Sequence, residues 1–253
     1  MKKYELTTEF KLNIFGKKVF RIKALIDFAD IKAGELGGYI EDEKNLSQNC
    51  NAWVSGDAEV YGNAKVSDDA WVSGDAWVYG NAKVYGNAWV YGNAEVSGDA
   101  WVYGNAQVYG NAEVYGNAEV YGNAWVYGNA WVYGNAEVYG NAKVYGDAEV
   151  YGDAEVSGDA EVSGDAEVSG DADYTTIKGF GTGFRNTTFF RCKDKLVRVK
   201  CGCFCGTIDE FREQVKNTRK GKIAKEYLMI ADLMEYHFTD NNTEDTVYET
   251  KTK

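Results

Sequence analysis

The sequence predicts an all-β solenoid, a stack of very short strands joined by tight corners. Three observations carry that prediction. From Ala52 the pattern Ala-x-Val-[Tyr/Ser]-Gly-[Asn/Asp] recurs every six residues, with Val at 54, 60, 66 and onward to 168. Ala and Val stand two apart, so a strand puts both on one face and turns the residue between them to solvent. Gly followed by Asn or Asp then supplies residues that accept left-handed backbone angles, as a corner requires, and only Asp68 interrupts the glycine column. A helix is excluded, because a period of six would scatter the valines around its circumference. One hexad cannot bury its own apolar face, so hexads must coil and stack, at about 4.8 Å per layer.

Residues 1–50 precede the repeat. The stretches 4–14 and 19–26 alternate apolar and polar residues around Phe15-Gly16-Lys17 and predict a hairpin. Ile31-Lys32-Ala33-Gly34 and Gly37-Gly38-Tyr39 then lead through Leu46 into the first coil. Their physical role is a cap, because an open coil exposes unpaired N–H and C=O groups. This segment resembles the N-terminus of YdcK-type hexapeptide proteins and of uncharacterised repeat proteins encoded by phages and prophages.

Residues 51–173 form the predicted shaft. An apolar residue followed four positions later by a small one resembles the hexapeptide signature of left-handed parallel β-helices. That resemblance implies a triangular coil of three hexads, hence about seven coils and a rod roughly 33 Å long at the usual strand spacing. Positions eighteen apart would then stack. One side reads Trp53, Trp71, Trp89, Gln107, Trp125, Lys143, Glu161; a second runs from Glu59 to Glu167; the third runs from Lys65 to Asp173. Four of the seven tryptophans fall on the first side, and Trp53, Trp71, Trp89 and Trp125 are therefore the candidate interaction face. Thirteen tyrosines follow valines between Tyr61 and Tyr151 and should form columns along the corners.

After Asp173 the repeat fails. Gly179-Phe180-Gly181-Thr182-Gly183 reads as a flexible link. Residues 186–192 and 196–205 read as a second hairpin across Lys193-Asp194-Lys195. Thr207-Ile208-Asp209-Glu210 is a capping box that opens a helix reaching about residue 217, and a second helix is expected over 222–238, with Ile223, Tyr227, Ile230, Met234 and Phe238 as its buried stripe. The module at 174–238 is therefore expected to be ββαα, with 239–253 a polar tail. Its Cys-Gly-Cys-Phe-x-Gly-Thr segment looks like a small C-terminal domain of uncharacterised phage proteins.

The chain has 253 residues, 27 basic against 39 acidic, for a net charge of −12. That balance argues against nucleic acid or an anionic membrane as partner, since phosphate contacts need clustered Lys and Arg. No apolar run approaches the ~20 residues of a membrane span and no apolar leader follows Met1-Lys2-Lys3, so a cytoplasmic protein is expected. Charge is segregated: residues 147–173 hold ten acids and no base, while 174–253 carry 15 basic and 11 acidic groups. Chemistry-bearing residues are scarce. The lone histidine, His237, sits at the end of the second helix, away from the shaft. Cys201, Cys203 and Cys205 would alternate on one strand face with Cys192 on its partner, either as small buried hydrophobes or as zinc ligands. No cofactor is expected. The reading that follows is a non-enzymatic rod-like scaffold or binding protein. Related hexapeptide proteins are usually trimers, so the resemblance implies a homo-oligomer, and its phage setting implies a host factor as protein partner. Two alternatives stand: an acidic decoy for a host nucleic-acid-binding or defence protein, and a degenerate hexapeptide acyltransferase. The enzymes of that class use a histidine base, which this repeat lacks.

Overall fold

A computed structural model describes residues 2–181 and 185–239. The repeat winds into a β-solenoid of about seven turns with three parallel sheets along its sides. Each hexad contributes a strand as short as Glu119–Val120, and every strand pairs with the one eighteen residues away, as in Trp101↔Glu119↔Glu137. Backbone amides reach the carbonyl seventeen residues on, Tyr103 N to Val120 O at 3.0 Å and Asn105 N to Gly122 O at 2.7 Å. All alanines and valines of the column, Ala52 through Val168, are buried in one continuous core. Along the middle coils only these two small residues fill it, because three converging sheets leave no room for a longer side chain, and larger ones such as Leu46 and Phe190 enter only at the ends.

The corners explain the glycine column. Gly104 has φ 72°, and a Cβ there would stand 3.0 Å from the backbone nitrogen of Gly122 directly above. Asp68 holds the same left-handed conformation, φ 58°, and its carboxylate accepts a hydrogen bond from Gly86 N at 3.1 Å, a local partner of the kind that makes Asp tolerable there.

The N-terminal segment continues a side of the shaft. Strands Tyr4–Leu12 and Lys18–Ala24 form the expected hairpin, closed by Asn13, whose Oδ1 accepts from Phe15 N and Lys17 N. A third strand, Leu36–Ile40, is antiparallel to the hairpin and parallel to the first rung of the second side, with Ile40 opposite Val60. The result is a single ten-stranded sheet. Gly37 and Gly38 are there because a Cβ on either would come within 2.8 Å of the shaft backbone, at Val54 O and Ala58 O. Lys3 is buried and its ammonium donates to Ala52 O at 2.7 Å, satisfying a carbonyl at the start of the shaft; burial pulls its pKa down to about 8.

Three expectations for the C-terminal part need correction. Asp173 is not a seventh rung of the third side; it ends a 3₁₀ turn, Asp171–Asp173, and that side has six strands. The Gly179–Gly183 link is replaced in part by a strand, Tyr174–Phe180, which leaves the shaft directly; residues 182–184 lie outside the described residues. The single strand expected over 196–205 is two, Val197–Cys201 and Phe204–Thr207, because Gly202 turns the chain with φ 61°. With Arg185–Arg191 the module is a four-stranded antiparallel sheet followed by α1 (Ile208–Thr218) and α2 (Gly221–His237), ββββαα where ββαα was expected. The Thr207–Glu210 capping box opens α1 as anticipated. Phe189, Phe211, Val215, Tyr227, Ile230 and Met234 pack the sheet against the helices.

The opposite face of that sheet closes the shaft. Phe190 and Cys192 join the solenoid core, Cys192 bridges to Ala166, and Thr188 Oγ1 accepts from Glu161 N at 3.1 Å. Successive residues Phe189 and Phe190 thus serve two different cores, as strand alternation dictates. Residues 240–253, most of the expected polar tail, lie outside the described residues. No described helix is long and apolar enough to cross a membrane.

Candidate interaction face

Asp173 apart, the outward positions fall into the three expected columns, because the register of eighteen holds along every side. Trp53 must nevertheless be removed from the predicted face. It is fully buried: the rings of Tyr4 and Phe28 meet it edge-on at 6.4 and 5.3 Å, so the N-terminal cap sits on it. Sequence reasoning placed its side chain outward correctly and missed that the cap folds back over that rung. No local pattern around Phe28 signals the contact.

The remaining members form an accessible strip. Trp71 and Trp89 stack at 6.5 Å with planes 29° apart, and Trp89 is 51% exposed. Gln107 comes next, accepting from the Tyr91 hydroxyl at 3.3 Å. Trp125 is 38% exposed, with the Lys143 ammonium 5.5 Å from its ring centre and Tyr109 edge-on at 6.5 Å. Lys143 also pairs with Glu161 at 3.6 Å. The tryptophans on the other sides are isolated: Trp101 lies under Lys83, 4.2 Å from the ring centre, and Trp131 stands between Glu113 and Glu149.

Rigid ladders border the strip. Tyr91, Tyr109, Tyr127 and Tyr145 stack at 4.8 to 4.9 Å with planes within 5°. Burial pushes the Tyr127 hydroxyl up to about 12, and its neighbours Tyr145 and Tyr109 add to the shift. Asn87, Asn105, Asn123 and Asn141 form an amide ladder, each Nδ2 donating to the next Oδ1, and the ladder ends on the carboxylate of Asp159. A parallel ladder, Asn93, Asn111 and Asn129, ends on Asp147. Elsewhere tyrosine hydroxyls donate to the acid sixteen residues on, Tyr103 to Glu119 at 2.8 Å and Tyr121 to Glu137 at 2.7 Å. The Asn ladders and Tyr–Glu bonds went unread in the sequence, although both were visible there as recurrences at eighteen and sixteen.

The acidic end of the shaft has intramolecular partners. Asp159 meets Lys178 at 2.7 Å, Asp173 meets Arg191 at 3.3 Å, and Lys193 pairs with Glu149. Hydrogen bonds from Lys178, Asn141 and Asn186 hold the Asp159 carboxyl at about 2. Between the last coils and the module lies a polar cleft of about 370 Å³, lined by Lys143, Glu161, Thr188 and Lys200 among others.

The cysteines do not converge as expected. Cys203 sits in the turn, exposed, while Cys201 and Cys205 lie on two different strands, paired with Phe204 and Lys200 respectively. Cys201 accepts from the Thr187 hydroxyl at 3.2 Å. Cys192 is buried against the shaft, and burial pushes its thiol up to about 12. Among the described residues no group of three or more His, Cys, Asp or Glu is arranged to hold a metal. His237 is exposed and packs edge-on to Phe238.

A family model for the YdcK beta solenoid repeat matches residues 76–92 and 118–134, both within the shaft. No curated protein matches the chain.

Proposed function

We propose that this β-solenoid is a non-enzymatic, rod-like scaffold that self-associates through the strip Trp71, Trp89, Trp125 and also binds a protein partner. One observation carries the reading: Trp89 and Trp125 are large indoles left 51% and 38% exposed in one column with Trp71, whereas Trp131, 40% exposed, stands alone between two glutamates on another side. Exposed aromatic area of this kind on a rigid surface is where protein interfaces concentrate their binding energy. The rigid Tyr and Asn ladders on either side support it, because a preorganised surface loses little entropy on binding. Resemblance to prophage-encoded repeat proteins favours a cytoplasmic host factor as the partner. The acidic-decoy alternative loses some support from Lys178, Arg191 and Lys193, which pair with three of the ten acids of residues 147–173.

The test is the mass of the protein in solution, by light scattering, for the wild type and for a Trp89→Ser/Trp125→Ser double variant. An assembly that the double variant reduces to monomers is the expected result. A wild-type monomer at every concentration would refute self-association, and turnover of acetyl-coenzyme A would refute the non-enzymatic part.

A further inference from the structure

The outward residues of the first side are self-complementary under a two-fold axis. From Trp71 to Lys143 they stand in one register column, Trp71, Trp89, Gln107, Trp125, Lys143, with Gln107 at the centre. A second copy laid antiparallel, with the axis passing between the two Gln107 residues, sets Trp89 against Trp125, Gln107 against Gln107, and Trp71 against Lys143. Each level coincides because both rods carry the same rung spacing, about 4.8 Å.

We infer that the partner on this face is a second copy of the chain, joined in an antiparallel, two-fold dimer centred on Gln107. The inference rests on the reading that the tryptophan strip mediates self-association, and it specifies the occupant and its direction. Three pairings support it. Trp89 and Trp125, the two most exposed indoles of the column, lie one rung either side of Gln107 and so cover each other twice. Gln107 Oε1 already accepts from Tyr91, which leaves its Nε2 donors and a lone pair for reciprocal bonds with the same amide of the other copy. Lys143, already at a cation–π distance from Trp125 of its own chain, meets the face of Trp71 of the other. An in-register parallel arrangement does the reverse. It stacks Lys143 on Lys143 and Glu161 on Glu161 and brings the acid-dense ends, residues 147–173, side by side, which like charge disfavours. This departs from the trimer that resemblance alone implies.

Cross-linking tests the arrangement. In a background with the exposed Cys50, Cys203 and Cys205 changed to Ser, Trp71→Cys and Lys143→Cys variants carrying different tags are mixed and treated with a short bis-maleimide. Circular dichroism first verifies that each variant is folded. The expected product is a mixed-tag dimer, with neither variant linking to itself, while a Gln107→Cys variant links to itself efficiently. Self-linked Trp71→Cys without the mixed product would overturn the antiparallel direction and leave self-association standing. A dimer in which Gln107→Cys fails to link would overturn the face itself. A protein that is monomeric by light scattering would overturn both readings together.

Discussion

At the residue scale the corners are the most constrained positions. Gly104 and Gly158 share the left-handed conformation, φ 72° and 66°, yet a Cβ at Gly104 meets the next coil's backbone at 3.0 Å and one at Gly158 meets nothing. Alanine at either position incurs the left-handed strain of roughly 1–2 kcal/mol, and only at Gly104 must the stacked backbone also shift. Gly104→Ala should therefore lower the melting temperature clearly more than Gly158→Ala; equal effects would show that the close approach is unimportant. Asp159 is one residue through which acid acts. Its folded pKa, about 2, lies below the ordinary carboxylate value, so its contribution is present above pH ~4 and is lost as pH falls from 4 towards 2. Docking of the C-terminal module, followed by limited proteolysis, should weaken across that window, and Asp159→Asn should flatten part of the pH dependence. Cys192 should resist maleimide at neutral pH while the exposed Cys50 and Cys203 react, because burial raises its thiol to about 12.

At the scale of elements, identical-looking tryptophans do different work. Trp53 is wholly buried under Tyr4 and Phe28, whereas Trp89 is half exposed. Trp53→Ala should cost about 3–5 kcal/mol and release the N-terminal cap, while Trp89→Ser should stay within about 0.5 kcal/mol in the monomer. Thermal unfolding of both under dissociating conditions checks this, and similar losses would contradict the burial difference. Phe190 is the corresponding anchor at the other end, buried in the shaft core from the module's sheet. Its neighbour Phe189 serves the helix-packed core instead. These two assignments were not legible in the sequence, since alternation says that Phe189 and Phe190 face opposite ways without saying what each way contains. The strand at Tyr174–Phe180 was missed for a related reason. Gly179 and Gly181 carry local turn signals, and pairing with Arg185–Arg191 overrides the first of them.

At the scale of the whole molecule, stability is a sum over like rungs. Removing residues 105–122, one full coil, rejoins Gly104 to Asn123 in the same register and preserves every column. Such a deletion should leave the circular dichroism unchanged and the melting temperature within a few degrees. Removing three residues puts Ala and Val out of phase with their neighbours and should abolish cooperative melting; a fold tolerant of both deletions would contradict the register of eighteen. The same additivity rationalises the charge layout. An acidic shaft end meets a basic module through Lys178, Arg191 and Lys193, so the end that most needs covering also attracts its cover.

The period of six, the small Ala and Val and the left-handed Gly were enough to specify a stacked solenoid, because they are local constraints repeated twenty times, whereas the three-hexad coil, its seven turns and the outward columns followed only from the resemblance to hexapeptide β-helices. What covers each end, which tryptophan stays accessible and where the cysteines lie were decided only by tertiary structure. Those outcomes depend on contacts such as Phe28 with Trp53 or Cys192 with Ala166, made between segments tens of residues apart, and no nearest-neighbour pattern encodes them.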